Sequence, residues 1–388
     1  MDENDQATQE ERPSLHSLCQ RQTPQSYARA RQLLEDPLTS LDALDKNGMT
    51  PLHVAVVNKN ARMVELLLQR GANKEIPSGT YQYTPLFEAV IKQSVSCLNL
   101  LLDAGASVNA RDVHGKSVLH TAVRQGSPMV GLLVDRGASV VCPESKYGRT
   151  PIHIAAELGA TEILETLLWK CSKGADIKDK KDMTPLHFAA ERGHRNCCHV
   201  LLRHGANPSA KNRCNETALH IAVRNCYLLT SQILLSYEHD LNSKDNNGFT
   251  PLIRITTCKK FDAEKVLCLL LERRPDLNAT CPNGDTALHH AVKGGSQDKC
   301  RILVEAGVDC NVQNKHGMTP LHIAAKKKLP ECCAAILRLP LRRDLLELEQ
   351  PGLRRAGEPQ ERRRRREEPA QPRREHGEHS GHGALHED

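Results

Sequence analysis

Histidine, cysteine and arginine are the residues of this chain whose number and placement could do chemistry. The 15 cysteines and 19 histidines could ligate metal. However, no two cysteines form a C-x-x-C pair, which is the spacing that structural zinc sites favour. Small buried thiols in a reducing compartment explain the cysteines more simply, so the sequence predicts a cytoplasmic protein, with the nucleus as an alternative. No metal site is predicted.

Seven histidines recur at intervals of 33 or 34 residues, or about twice that. They are His53, His120, His153, His187, His220, His289 and His322. Residues this far apart belong to separate structural units and do not converge on one centre. The sequence also has no phosphate-binding loop, nucleophile elbow or H-E-x-x-H motif. We therefore expect no catalytic residue, no cofactor and no enzymatic activity.

The elements that must position these histidines repeat along the chain. A short signature, first seen as Thr50-Pro51-Leu52-His53, begins again at Thr84, Ser117, Thr150, Thr184, Thr217, Thr250, Thr286 and Thr319. The intervals are 34, 33, 33, 34, 33, 33, 36 and 33 residues. A constant period in this range indicates stacked supersecondary units.

One copy shows how such a unit is built. Thr184 can cap a helix N-terminus, and Pro185 fits the first helical position. Gly193 ends this helix, and Gly205 ends a second one. Helices this short are marginal alone in water, so each pair must bury its apolar side against neighbouring pairs.

The signature resembles the ankyrin-repeat family. Its pattern T-P-L-H-x-A, followed by L-L and G-A, is met by Thr50–Ala55 with Leu67-Leu68 and Gly71-Ala72. The resemblance implies an all-α fold, a solenoid of stacked helix-turn-helix units with finger loops. It also implies a protein–protein interaction scaffold or adaptor.

The same pattern divides the chain into segments. We expect a disordered N-terminus over 1–23 and a degenerate capping unit over 24–49, followed by nine repeats over 50–339. A capping helix is predicted for 340–350. Residues 351–388 contain nine arginines and eight acidic residues, with almost no apolar side chains, and are predicted to be disordered.

The resemblance also points to residues that could bind a partner. In the family, residues just after the first helix line the concave face. Here the basic ones are Lys92, Arg124, Arg192, Arg224, Lys259, Lys260, Lys293 and Lys326. Such a row would attract an acidic protein surface, although a generic solvated face is the alternative. Aromatic residues of the fingers are candidate anchors, or they pack against neighbouring fingers. They are Tyr81, Tyr83, Tyr147 and Phe249.

Several alternatives stay open. The copy at Thr250 has an insertion over 258–265, which is a binding loop, a hinge or neutral variation. A ubiquitin-ligase substrate receptor would need a C-terminal box that is not recognisable, although Ser14–Cys19 has a similar spacing. A nucleic-acid contact or nuclear import signal could use the arginine run of the tail. That run is Arg362, Arg363, Arg364, Arg365 and Arg366. No secretory signal or membrane insertion is expected.

Overall fold

The computed structural model describes residues 14–237 and 240–337, which consist of helices, turns and loops. In chain order, the bounds of helices α1 to α19 are Leu15–Gln20, Pro24–Leu33, Pro51–Val57, Ala61–Gln69, Pro85–Ile91, Val95–Asp103, Val118–Arg124, Met129–Asp135, Pro151–Leu158, Thr161–Lys170, Pro185–Arg192, Arg195–Arg203, Ala218–Arg224, Leu228–Leu235, Pro251–Thr257, Ala263–Leu271, Ala287–Lys293, Gln297–Glu305 and Pro320–Lys326. Residues 330–337 are also helical, and Ser172–Asp176 form a 3₁₀ helix. Within these ranges extended pairing is limited to two isolated bridges.

The helices stack pair upon pair. First helices contact first helices of the next unit, as in α3 with α5, α5 with α7 and α9 with α11. Second helices do the same, as in α4 with α6 and α10 with α12. The predicted all-α repeat solenoid is therefore confirmed.

Helix α3 shows why these residues need their neighbours. Thr50 caps it, because the Thr50 hydroxyl oxygen accepts the backbone N–H of His53 at 3.3 Å. The helix has only 7 residues, too few to persist alone. Leu52 and Ala55 are fully buried, so packing between repeats supplies the stability that the isolated helix lacks.

The signature histidines join consecutive repeats. In α3, Nδ1 of His53 accepts the backbone N–H of Thr50, which leaves the proton on Nε2. That Nε2–H donates to the carbonyl oxygen of Tyr83, 30 residues on, at 3.0 Å. Five other links have the same form and lengths of 3.0–3.1 Å. They run from His120 to Arg149, His153 to Met183, His187 to Glu216, His220 to Phe249 and His289 to Met318. These six histidines therefore hold consecutive repeats in register.

The structure corrects the expected N-terminal boundary. Residues 1–23 were predicted to be disordered, yet Leu15–Gln20 form helix α1, which contacts α3. Leu15, Leu18 and Cys19 are spaced so that they face one side of the helix, and all three are buried. The first unit thus includes helix α1 in addition to the residues from 24 onward. The predicted segments 340–350 and 351–388, including the arginine run, lie outside the described residues.

Burial of the histidines makes stability depend on pH. Burial lowers the pKa of both His120 and His153 to about 4. As the pH falls below about 6.5, the unfolded chain binds protons that the folded chain still excludes. The contribution of the neutral imidazoles is therefore complete above pH 6.5. It is lost progressively toward pH 4, at about 1.4 kcal/mol per pH unit for each histidine.

We predict that His153→Phe is less stable than the unsubstituted chain at pH 7, because it loses the link to Met183. Its stability should also fall less steeply between pH 6.5 and 4.5. Phenylalanine is a matched replacement, since Phe87 holds the same signature position in another repeat and is fully buried there. Urea unfolding across this pH range measures both effects. Equal pH slopes for the two proteins would show that His153 does not exclude the proton.

Candidate protein-binding surface

The finger loops are held by local and inter-repeat hydrogen bonds. In the finger before α3, one carboxylate oxygen of Asp45 accepts the backbone N–H groups of Asn47 and Met49, at 2.8 and 2.9 Å. Neighbouring fingers are joined by backbone bonds of 2.9–3.1 Å. These run from Val113 to Tyr81, Ser145 to His114, Lys180 to Tyr147, Arg213 to Lys181, Asn246 to Cys214 and Lys315 to Asn283. Side chains of the fingers are thereby presented from a fixed backbone.

The finger aromatics divide into exposed and packed groups. Tyr81 is 51% exposed and stacks on Tyr83, with ring centroids 5.4 Å apart. Tyr83 is half-buried and stacks in turn on Phe87 at 5.2 Å. Tyr147 is 39% exposed beside the cations of Lys146 and Arg149. Exposed Tyr81 and Tyr147 remain candidate anchors, whereas Tyr83 serves as a support for Tyr81.

Phe249 is also a packed finger residue. Its ring is half-buried and meets the His290 ring edge-on, with centroids 4.9 Å apart. The Arg254 guanidinium lies 5.1 Å from the same ring. Phe249 therefore fills the contact between two repeats.

Four of the eight predicted basic residues already have partners inside the chain. Arg192 pairs with Glu157 of the preceding repeat at 3.0 Å. Arg224 and Lys293 pair with acids just before their own helices, Glu216 and Asp285, each at 2.5 Å. The fourth is Lys260, whose ammonium group donates a hydrogen bond of 3.2 Å to the carbonyl oxygen of Asn225. These contacts neutralise or occupy much of the predicted positive row.

The other four predicted cations are less constrained. Arg124, Lys259 and Lys326 are exposed, and none forms an ion pair within the part of the chain that the structure describes. Lys92 is half-buried, one turn after the buried Glu88. Burial raises the pKa of Glu88, and the positive charge of Lys92 opposes that shift. The available positive charge is therefore concentrated in fewer repeats than the sequence suggested.

Two exposed aromatic side chains escaped the sequence reasoning. Trp169 is 77% exposed at the end of α10, and Phe261 is 90% exposed in the insertion before α16. Both lie at irregularities of the repeat period, which was the signal that could have singled them out. Large exposed aromatics are typical anchors of protein interfaces, so both join the candidate surface.

The repeat that begins at Thr250 is joined differently to the next one. Ile253 stands where most other repeats have a histidine, so the imidazole link is missing here. Pro282 has no N–H at the position where Lys315 donates to the preceding finger. Both polar links are thus absent from one junction.

A buried lysine replaces part of what this junction lacks. Lys299 is 3% exposed and donates to the carbonyl oxygens of Ile255, Thr256 and Cys258 at the end of α15. Most other repeats have an apolar residue at this position, 13 residues after the signature Thr or Ser, and the repeat at Thr217 has Thr230 there. Examples are Met63, Cys97, Val130 and Cys197. Lys299 therefore supplies a donor to the carbonyls of this irregular helix end, of which that of Ile255 also accepts the backbone N–H of Cys258.

Among the described residues, one group has the composition of a metal site. Potential ligand atoms of Cys281, Asp285 and His290 lie within 4.8 Å of one another. Both carboxylate oxygens of Asp285 are already engaged, one by Lys293 at 2.5 Å and one by the Asn314 amide at 2.9 Å. Although burial acts to raise it, the pKa of Asp285 is lowered by these two hydrogen bonds. The carboxylate is thus occupied by protein contacts, and we assign no metal.

Stacked helix pairs with projecting fingers define the class of helical repeat proteins that present a binding surface. A family profile described as ankyrin repeats (3 copies) matches this chain in overlapping segments from residue 15 to 342. Those segments are 15–112, 86–181, 119–212, 168–245, 186–268 and 255–342. The chain belongs to the ankyrin-repeat family. Ankyrin repeats are modules of protein–protein interaction, so a protein partner is expected.

Three similar curated proteins each match part of this chain. The B-cell lymphoma 3 protein homolog of Mus musculus is 33% identical over 234 residues, which are 57% of this chain and 52% of that protein. The putative palmitoyltransferase ZDHHC13 of Danio rerio is 31% identical over 202 residues, 51% of this chain and 30% of that protein. The E3 ubiquitin-protein ligase KEG of Arabidopsis thaliana is 27% identical over 279 residues, 59% of this chain and 17% of that protein. The chain thus spans about half or less of these relatives.

No helix among the described residues combines the length and the apolar character needed to cross a bilayer.

We predict that Lys299→Met destabilises the protein by about 1–3 kcal/mol, because buried carbonyls lose their donor. Methionine fits the position, since Met63 is its counterpart and is 1% exposed. Lys265→Met is the matched control, because that side chain is 61% exposed and should change stability by less than about 0.5 kcal/mol. Chemical denaturation measures both variants. A Lys299→Met protein as stable as the unsubstituted chain would contradict the proposed capping role.

Proposed function

We propose that this protein is a scaffold or adaptor that binds a partner protein through its finger loops and the ends of its first helices. The observation that carries this proposal is the fixed presentation of exposed side chains. Tyr81 and Tyr147 lie on fingers joined by backbone bonds, and Arg124 ends a helix whose histidine, His120, is bonded to the next repeat. A surface ordered before binding loses little conformational entropy when a partner docks.

We further propose that this protein acts by binding rather than by catalysis. Six signature histidines use both ring nitrogens within the stack, so they are not available as bases or nucleophiles. The chain would work in the cytoplasm or the nucleus, where its many unpaired thiols remain reduced.

The unpaired cations support a partner with an acidic surface. Arg124, Lys259 and Lys326 are exposed and keep their full charge available. Arg192, Arg224 and Lys293 are less suited to this role, because each is already neutralised by an acid. Complementary charge would speed association and make affinity depend on salt.

The ubiquitin-ligase alternative has weaker support than the scaffold. The segment Ser14–Cys19, whose spacing suggested a ligase box, lies in and just before helix α1. Its Leu15, Leu18 and Cys19 are buried, so it would have to unfold before it could bind an adaptor subunit. The ligase named above matches this chain over 17% of its own length. A nucleic-acid role for the arginine run stays a prediction from sequence.

We predict that reversing three unpaired cations, Arg124→Glu, Lys259→Glu and Lys326→Glu, weakens binding to the partner at least about tenfold. The partner is first identified by crosslinking and affinity purification with the full chain. Its affinity for the purified unsubstituted and triple-variant proteins is then measured by calorimetry. The loss should shrink at high salt, because the attraction is screened.

The control is a second triple reversal at exposed cations of the second helices and their ends. It consists of Arg195→Glu, Arg203→Glu and Arg273→Glu. This control has the same change in net charge and should alter the affinity by less than about threefold. Equal losses in the two triple variants would show a nonspecific charge effect. An unchanged affinity in the first variant would show that the partner does not use these cations.

A further inference from the structure

Two cysteines of consecutive repeats lie against each other beside the insertion of the irregular repeat. Cys226 follows helix α13, and Cys258 follows helix α15. Their Sγ atoms are 2.7 Å apart, and both thiols are free. Sulfur atoms this close can form a covalent bond with only a sub-ångström movement. We propose that Cys226 and Cys258 are a reversible oxidation site, which a hydroperoxide converts to a disulfide.

The position of Cys226 in its repeat supports this assignment. The residue lies nine positions after the signature Thr, in a left-handed turn with φ of 58°. Glycine holds this position in the repeats with Gly126, Gly159, Gly193 and Gly295. Lysine or glutamine holds it at Lys59, Gln93 and Lys328. Cysteine belongs to neither type, and the left-handed conformation disfavours a residue with a Cβ atom. The strained turn directs the thiol of Cys226 toward Cys258.

The two thiols differ in their access to an oxidant. Cys226 is 7% exposed, and burial, together with the adjacent thiol of Cys258, raises its pKa to about 12. Cys258 is half-buried, and the backbone N–H of Lys260 points at its sulfur from 3.5 Å. Because Cys258 is the more exposed of the two thiols, it is the sulfur that meets the oxidant first.

The chemistry balances in two steps with hydrogen peroxide. The Cys258 thiolate attacks one peroxide oxygen, the O–O bond breaks, and the second oxygen leaves as hydroxide that is protonated to water. The Cys226 sulfur then attacks the sulfenic sulfur of Cys258. The S–S bond forms and the S–O bond breaks, and the departing hydroxide takes the Cys226 proton and leaves as water. The two sulfurs together lose two electrons, and a dithiol reductant restores them.

The Cys226–Cys258 disulfide would anchor one end of the exposed loop that follows Cys258. Lys259, Lys260 and Phe261 follow Cys258 directly, and Phe261 is 90% exposed. Joining Cys258 to the preceding repeat would restrict this loop at one end. Oxidation would thereby change the mobility of a segment that contains one unpaired cation and one exposed aromatic side chain.

The test uses the full chain, treated with submillimolar hydrogen peroxide, alkylated and digested with trypsin without reduction. We expect a disulfide-linked pair of peptides, residues 225–244 with residues 255–259, to appear in the mass spectrum and to disappear after dithiothreitol. The same treatment should slow cleavage of the folded protein after Lys259 and Lys260.

The matched variant is Cys226→Gly, because glycine holds the same turn in four other repeats. It should fold normally, lose the linked peptides and show no slowing of cleavage. Cys268→Ser is the control for an exposed thiol in the same repeat and should leave the cross-link intact. If both thiols of the peroxide-treated chain remain open to alkylation, the oxidation site does not exist. A cross-link without slower cleavage would refute the effect on the loop.

Discussion

The hydrogen bond from a buried imidazole to a carbonyl one repeat further on is the contact on which this fold depends. Each helix is too short to persist alone, so the register between repeats has to be specified as well as stabilised. His153 shows how one side chain does both. Its Nδ1 accepts an N–H at the start of its own helix, and its Nε2 donates to Met183 in the next repeat. In a water-poor interior such a hydrogen bond is strong, and leaving its donor or acceptor unpaired lowers the stability of the fold. Apolar packing then has one arrangement in which both nitrogens of this imidazole are also hydrogen-bonded.

Much of this arrangement could be read from the sequence. Thr, Pro, Leu and His at consecutive positions fix the start of a helix, and their 33-residue recurrence fixes the stacking. Helix α1 of the N-terminal unit was not predicted from the sequence, because it is only 6 residues long. Its histidine, His16, also lies two positions after the capping residue Ser14, whereas the signature histidine lies three positions after its cap. His16 nevertheless reaches the carbonyl of Met49 at 3.0 Å, which is the contact a signature histidine would make. The N-terminal unit thus lacks the sequence signature but keeps the hydrogen bond that links the histidine to the next repeat.

The candidate surface was harder to predict than the fold. Sequence placed Arg224 and Lys293 on the expected face, but it could not show that the finger folds back. That fold brings an acid eight residues earlier within ion-pair distance. Exposure of Phe261 was equally hidden, because an insertion has no register from which to infer direction. Cys226 and Cys258 lie 32 positions apart, nearly one period, so aligning the repeats makes them a candidate contact. Cys300 and Cys332 have the same separation, so the spacing alone does not single out the first pair.

The missing links at Ile253 and Pro282 have a consequence for how the protein unfolds. Elsewhere, consecutive repeats are coupled by an imidazole–carbonyl hydrogen bond, by a backbone hydrogen bond between their fingers, or by both. Across this junction, the remaining contacts include apolar packing, the ammonium of Lys299, and two finger hydrogen bonds, from Lys244 to Thr280 and from Asp276 to Asn242. In a linear array of repeats, the group of repeats that unfolds together extends only as far as the coupling between neighbours is continuous. The last two repeats should therefore behave as a separate cooperative block, able to fray and re-form while the repeats before Thr250 stay intact.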